Sequence, residues 1–418
     1  MRTLRRRTTV ALSVTALLLS LPATQSAFAR GSDHTGEDTS RAVYRIPNTD
    51  TASRTAVNRT GALVLSVTGE TAFVEATPAQ AERLRDRGLS PRRLPAATDA
   101  PVRPESSPAD FPPEDSGYHT YSETVSEIEE AAAEHAEIVD STSAGRSARG
   151  RDIPVVKISD NAGTDENEPE VLFTCNQHAR EHLTTEMCLH ILRRYTDNHG
   201  SDPDITNAVD SREIWIIPMV NPDGATYDVS GDGYRAWRRN RESVPVDLNR
   251  NWGYKWGCCG GSSGNPSQPT YRGPAPFSAP ETAAIRDFVE SREAEGRQRI
   301  TAHIDFHSFS ELVLWPYGYT TADTAPGMTR EQYRRFAELG NAMARSNGYT
   351  PMQSSDLYVT DGSVNDWMWA EHGILSFTFE MYPSSGGIGG FYPPDEVIER
   401  ETARNDEAVA MLLNEAGA

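Results

Sequence analysis

The chain has 418 residues, enough for two or three folded units, and its 37% hydrophobic and 8% aromatic content supplies a packed core and argues against wholesale disorder. Sixty Asp and Glu against 40 Lys and Arg leave a net charge of −20, the wrong sign for holding nucleic-acid phosphates or anionic lipid. Neither a nucleic-acid nor a membrane partner is expected.

The chain begins with an address. Arg2, Arg5, Arg6 and Arg7 form a positive leader, Val10 to Leu21 is an apolar stretch too short for a comfortable bilayer span, and Ala27-Phe28-Ala29 fits the pattern before a cleavage point. Residues 1–29 therefore read as a secretory signal peptide, and a secreted, extracellular monomer is expected. In that oxidising setting Cys175, Cys188, Cys258 and Cys259 allow three disulfide pairings, between which the sequence does not choose. Adjacent Cys258 and Cys259 could pair only as a vicinal ring. No Cys-x-x-Cys occurs, so a cysteine zinc site has little support.

Residues 30–93 read as a small α+β module. Strands are predicted at Ala42 to Ile46, Leu63 to Thr68 and Thr71 to Glu75, with a turn at Gly69-Glu70. A short helix follows, with Thr77 and Gln80 as a capping box, Pro78 at its first position and Gly88 past its end. Residues 94–114 carry Pro95, Pro101, Pro104, Pro108, Pro112 and Pro113 and form a linker. A module joined by a cleavable linker to a larger domain is the layout of a zymogen, and equally of a two-domain protein with a rigid spacer. Arg92-Arg93 is a candidate nick site.

From residue 115 to 418, strands and helices alternate. Thr120 and Glu123 cap a helix through about His135 that places Val125, Ile128 and Ala132 on one face. Ile153 to Ile158, Val171 to Thr174, Ile214 to Val220, Ile300 to Phe306 and Ile374 to Phe379 are short β-branched runs. They predict an α/β domain with a mixed, mostly parallel twisted sheet and helices on both faces.

The informative polar residues follow the C-terminal ends of those strands, where open α/β sheets place ligands. His178 and Glu181 follow the second strand, and His307 follows the fourth; imidazole and carboxylate donors suit zinc, and a hydrolytic site uses three of them. His-x-x-Glu alone is common and equally fits a structural pair. His178, Glu181 and His182 also spell H-x-x-E-H, an alternative with two helical histidine ligands and Glu181 as base, but the helix is predicted to start only near Thr184. Glu380 ends the last strand; a carboxylate there must be paired or functional, and beside a metal it suits a general base. Trp237-Arg238-Arg239 and Asp247-Leu248-Asn249-Arg250-Asn251-Trp252 add guanidinium groups suited to an anionic substrate or a developing oxyanion.

These residues carry a family resemblance. From about Asp110 to Leu413 the chain resembles the zinc carboxypeptidases of the funnelin type, peptidase family M14, nearest their secreted bacterial, carboxypeptidase T-like members. The match rests on His178 and Glu181, Asn221-Pro222-Asp223-Gly224, Trp237-Arg238, the Asp247 motif, His307-Ser308, Leu357-Tyr358 and Phe377-Thr378-Phe379-Glu380, all in family order.

The resemblance implies one Zn2+ on His178, Glu181 and His307, with Glu380 as general base and Arg238 stabilising the oxyanion. It further implies Asn249 and Arg250 on the terminal carboxylate of a peptide or protein, Tyr358 closing over it, and Arg180 as a further substrate contact. The N-terminal module resembles, more loosely, the activation domains that cover the cleft of such enzymes, which makes the chain's own prosegment an expected intramolecular inhibitor.

Asn365, before Asp366-Trp367, stands where the family sets terminal-residue preference and matches neither its apolar nor its acidic pattern. Asp356 matches a carboxylate of broad-specificity bacterial members, so apolar terminal residues with some tolerance for Lys and Arg are expected. Phe309 replaces a frequent Tyr. Gly260-Gly261-Ser262-Ser263-Gly264 spells a serine-hydrolase elbow, but no strand feeds it. Asp228, Ser230, Asp232 and Gly233 imitate a calcium loop whose twelfth position is Arg239, so calcium is weakly supported. His182, His303 and His372 are expected to be structural. The rival functions are a same-fold amidase on cell-wall peptides and a secreted binding protein that has lost catalysis.

Overall fold

Two sheets organise the chain, and the alternation of buried with open residues in their strands decides which faces meet. The computed structural model describes residues 40–95, 110–231 and 233–416. The signal-peptide reading, most of the linker and Asp232 of the calcium-like pattern lie outside the described residues.

The N-terminal module is a four-stranded sheet of order β2-β3-β1-β4, with β1 at Ala42–Ile46, β2 at Leu63–Thr68, β3 at Thr71–Ala76 and β4 at Arg92–Arg93. All its pairings are antiparallel. Gly69 at φ +57 makes the β2–β3 turn where the sequence predicts one. The helix Pro78–Arg85 carries the expected Thr77–Gln80 capping box. A second helix, Thr51–Arg59, was not legible, because only Val57 among its side chains is large and aliphatic; Asp50 and Ser53 cap it reciprocally.

The larger sheet has eight strands: β5 (Val139–Arg146), β6 (Asp152–Ile158), β7 (Glu170–Cys175), β8 (Glu213–Ile217), β11 (Ile300–Ser308), β12 (Leu312–Trp315), β13 (Thr350–Gln353) and β14 (Leu375–Met381). A two-stranded hairpin, β9 (Glu293–Ala294) and β10 (Arg297–Gln298), stands apart. The order is β13-β12-β14-β11-β7-β8-β6-β5, with β14, β11, β7 and β8 mutually parallel at the centre. This is the mixed α/β architecture the strand runs predict, with β5, β12 and β13 added. β5 reads Val-Asp-Ser-Thr-Ser-Ala-Gly-Arg, an open edge strand without an apolar run to announce it.

Both sheet faces are covered. Val171, Phe173, Ile304 and Phe306 pack with Met187, Ile191 and Leu192 of the helix Leu183–Asp197 and with Leu412 of the C-terminal helix. Leu172, Trp215 and Ile217 pack on the opposite face with Ile285 of the helix Pro280–Ser291 and Met368 of the helix Val364–His372. At about 25 cal/mol per Å2 of apolar surface, two such faces hold the central strands rigid. Disulfides join Cys175 to Cys188 and Cys258 to Cys259. The first ties the end of β7 to the helix that follows, just beyond the loop that carries His178.

Candidate active site

Four central parallel strands end on one edge of the sheet, and the loops they feed bring the candidate residues together. Asn176, at φ +54, turns the chain out of β7, and its backbone N–H donates to Thr184 Oγ1 at 2.9 Å. The segment between, His178 to His182, is buried. The helix proper begins at Leu183, so His178 and His182 do not share a helical face as the H-x-x-E-H alternative requires. His182 turns away and donates from Nε2 to Asp228 Oδ2 at 2.9 Å.

His178 Nδ1 stands 3.0 Å from Glu181 Oε1, His307 Nδ1 is 2.8 Å from Glu181 Oε2, and the two Nδ1 atoms are 3.0 Å apart. Each imidazole presents its other nitrogen to a buried carboxylate: His178 Nε2 is 3.0 Å from Asp247 Oδ1, and His307 Nε2 is 2.6 Å from Asp305 Oδ2. Those two hydrogen bonds place the protons on Nε2 and leave both Nδ1 lone pairs aimed, with the Glu181 oxygens, at one point. Lone pairs converging in a buried space repel one another unless a cation lies between them. In the metal-free chain burial opposes a proton on His307, but Asp305 and Glu181 hold its pKa well above the ordinary value. The donor set and its outer carboxylates fit zinc.

Asp247 also organises the arginine. Its Oδ2 accepts from Arg238 Nε at 3.2 Å and Nη2 at 3.1 Å. Burial by itself would raise the Asp247 pKa; Arg238 and His178 overcome that and hold it below the usual carboxylate range. On the other side, Asp305 accepts from Thr174 Oγ1 at 2.6 Å and Gln177 Nε2 at 2.8 Å, and Trp252 Nε1 fixes Gln177 at 2.9 Å. Sequence reasoning gave Asp305 and Gln177 no role. Two-residue alternation along β11 puts His303, Asp305 and His307 on one face, which is the signal that could have found this polar column.

Glu380 is the register partner of His307 on adjacent parallel β14. Half-buried, it lines the same cleft as the three converging ligands, Arg180, Arg238, Asn249, Arg250, Tyr358 and Asn365. Burial foremost, with Glu181 adding repulsion, pushes the Glu380 pKa up to about 7, against the pull of His307 and Arg238. Asn249 Oδ1 accepts from Val364 N–H at 3.0 Å. Gly362, at φ +64, lies so close to Arg250 that a Cβ there would meet its carbonyl oxygen at 2.6 Å. Arg180 Nε and Nη2 and Arg250 Nε are buried without hydrogen-bond partners among the described residues, so cationic donors stand ready in the cleft.

Asp356 does not join the group. It is exposed, and its backbone carbonyl accepts from Thr51 Oγ1 and Arg54 Nη2, both at 2.8 Å. The remaining occupant of the cleft comes from the N-terminal module. Val64, Leu65 and Ser66 of β2 line it, Leu63 and Leu65 pack with Phe309 and Phe391, and Glu75 Oε2 stands 3.6 Å from Arg180 Nη1. Arg54 Nε donates to Leu357 O at 2.6 Å and Val359 N–H to Thr55 Oγ1 at 3.1 Å, which grips the loop bearing Tyr358.

The family model described as zinc carboxypeptidase matches residues 124–408. The chain belongs to the zinc carboxypeptidase family. Among related zinc carboxypeptidases, one from Saccharothrix mutabilis subsp. capreolus is 46% identical over 402 residues, covering 91% of this chain and 90% of that protein. Carboxypeptidase A1 of Rattus norvegicus is 33% identical over 288 residues, 67% of this chain and 66% of that one. Among solved carboxypeptidases, carboxypeptidase A from Helicoverpa armigera superposes with a TM-score of 0.73 at 25% identity, over 92% of this chain and 99% of that chain. Thrombin activatable fibrinolysis inhibitor shares the fold, with a TM-score of 0.69 at 23% identity, over 90% and 98%. This zinc carboxypeptidase is thus a metallocarboxypeptidase, a hydrolase that acts on peptide C-termini.

Proposed function

We propose that the chain is a secreted carboxypeptidase zymogen whose cleft removes single C-terminal residues, with Glu380 as general base. The observation that carries this reading is one cavity holding the His178–Glu181–His307 convergence, a carboxyl poised near neutrality and arginine donors without partners. Zinc on those three ligands supplies Lewis-acid chemistry at the scissile carbonyl.

The rest is work for side chains of the chain itself. Arg250 and Asn249 take the terminal carboxylate, and Tyr358 closes over it, which confines cutting to the last peptide bond. Glu380 removes a proton from the attacking water and passes it to the leaving amine; a pKa near neutrality lets one group do both. Arg238 turns part of its guanidinium from Asp247 towards the developing oxyanion. Arg180 holds the substrate upstream of the cut. Asp247 and Asp305 keep the two imidazoles oriented with Nδ1 free. Apolar terminal side chains are accepted; basic ones lack the carboxylate expected of Asp356, which lies exposed outside the cleft.

Residues 30–93 act as an intramolecular inhibitor. β2 fills the space a substrate would take, and Glu75 occupies the neighbourhood of Arg180. Cleavage after Arg92 or Arg93 would free the cleft.

The test is release of C-terminal residues from a mixed peptide panel by the trypsin-nicked protein, beside Glu380→Gln. The reading predicts sequential single-residue release by the wild type and its loss in the variant. Internal cleavage, or full activity in Glu380→Gln, would contradict it.

A further inference from the structure

The segment 358–364 touches every member of the receptor for the terminal carboxylate. It carries Tyr358 itself. Gly362 lies against the Arg250 carbonyl and accepts from Trp252 N–H at 3.1 Å, and Val364 N–H donates to Asn249 Oδ1 at 3.0 Å. Whatever holds this segment therefore sets where Tyr358, Asn249 and Arg250 stand.

In the intact chain part of the hold comes from the N-terminal module, where Arg54 donates to Leu357 O and Thr55 Oγ1 accepts from Val359 N–H. Those bonds leave with the module. What remains centres on Asp361, a fully buried carboxylate midway along the segment. Its Oδ2 accepts from Cys259 N–H and Gly261 N–H, both at 2.9 Å, and its Oδ1 from the Ser262 hydroxyl. Thr360 N–H adds a bond to Gly318 O at 2.9 Å. Gly261 lies so close to Thr360 that a Cβ there would collide with the Thr360 backbone. Residues 259–262 thus form a cradle for one carboxylate.

The cradle has little of its own to keep that shape. Gly257 and Gly260 flank the two cysteines at φ +64 and +79, and glycine gives up more backbone freedom on ordering than any other residue. The covalent constraint is the Cys258–Cys259 disulfide, which closes a ring whose backbone atoms include the Cys259 nitrogen that donates to Asp361. Cys258 is exposed, whereas Cys175 and Cys188 of the other disulfide are buried. A reductant in solution reaches the first pair and not the second.

We propose that Asp361 is a positioning residue for the carboxylate receptor of the nicked enzyme, and that the Cys258–Cys259 ring is a thiol-exchange site that controls it. A dithiol that opens the ring frees Cys259 N–H, loosens segment 358–364 and weakens binding of the terminal carboxylate. One thiolate of the dithiol attacks Cys258 Sγ, the ring S–S bond breaks, and Cys259 leaves as a thiolate that takes up a proton. The second thiol then displaces Cys258, so the dithiol ends as a disulfide and the pair as two thiols. The inference rests on the reading of Tyr358, Asn249 and Arg250 as the receptor. Asp361 does not line the cleft and acts through those three.

The experiment uses the full chain nicked by trypsin at Arg92–Arg93, treated with dithiothreitol, desalted without air and resupplied with zinc, because the reagent also binds zinc. Alkylation should find thiols at Cys258 and Cys259 with Cys175–Cys188 intact. On one peptide the open ring should raise KM about fivefold or more while kcat changes less than about twofold, and reoxidation should restore KM. Asp361→Asn should raise KM likewise and no longer respond to dithiothreitol. The double variant Cys258→Ser, Cys259→Ser should start from the raised KM and ignore the reagent, its zinc content showing that the centre has folded. A KM unmoved with both thiols alkylated, a ring that dithiothreitol does not open, or wild-type KM in Asp361→Asn would overturn the proposal and leave the exopeptidase reading intact. Failure of the untreated nicked enzyme to release any C-terminal residue would overturn both.

Discussion

Glu75 of the N-terminal module stands 3.6 Å from Arg180 in the cleft, a partly screened ion pair between the first sheet and the loop that carries His178 and Glu181. Arg180 keeps two guanidinium nitrogens without hydrogen-bond partners there, so the pair holds the arginine without satisfying it. A substrate anion competes for the same group. The intact chain should therefore show little peptide hydrolysis, and nicking at Arg92–Arg93 should raise kcat/KM. Glu75→Ala in the intact chain should leak a small part of that activity, because Leu63 and Leu65 remain packed on Phe309 and Phe391. Equal rates before and after nicking, measured on one peptide, would count against inhibition by the module.

Glu380→Gln should lower kcat by about a thousandfold with little change in KM, since it removes a proton acceptor while keeping shape. For the wild type, kcat/KM should fall as pH drops below about 7, where the carboxyl takes up its proton. A bound cation draws that midpoint downward from the metal-free value, never above it. A pH profile of the nicked enzyme checks the sign: an acid limb is expected.

Asp305→Asn and Asp247→Asn should each weaken zinc binding by about 10- to 100-fold, because each carboxylate holds an imidazole in the tautomer that frees Nδ1. Competition against a chromogenic chelator measures this. Asp247→Asn should also lower kcat, since Arg238 Nε and Nη2 both donate to Asp247 Oδ2; Asp305→Asn has no such second effect.

Much of this centre was legible in the sequence because strand ends carry it. His307 and Glu380 close two apolar runs, and parallel pairing made them neighbours without any tertiary detail. Asp305 was hidden because it looks like an ordinary polar residue until β11 is known to be buried on both faces. Helix Thr51–Arg59 was hidden by its composition, and β5 by the open face of an edge strand. Asp356 and Tyr358 lie two residues apart in sequence, yet one lies exposed outside the cleft and the other lines it. Spacing in a short helical turn does not settle which way such side chains point.

Away from the cleft, His119 should make stability depend on alkaline pH. It lies 3.0 Å from Glu127 and 2.8 Å from Glu186, and those hydrogen bonds, Glu127 first, push its pKa from 6.5 up to about 10. A raised folded-state value means the stabilisation is whole below pH 6.5 and is lost as pH climbs through 10. Denaturation midpoints at pH 6 and pH 10 should differ more for the wild type than for His119→Gln.

Zinc analysis of the nicked protein, paired with its hydrolysis rate, tests the centre most directly. The geometry predicts one zinc per chain, loss of metal and of hydrolysis together on chelation, and recovery of both when zinc returns. His307→Ala should neither hold the ion nor cut. Hydrolysis that survives complete removal of the metal, or stoichiometric zinc retained by His307→Ala, would contradict the site built from His178, Glu181 and His307.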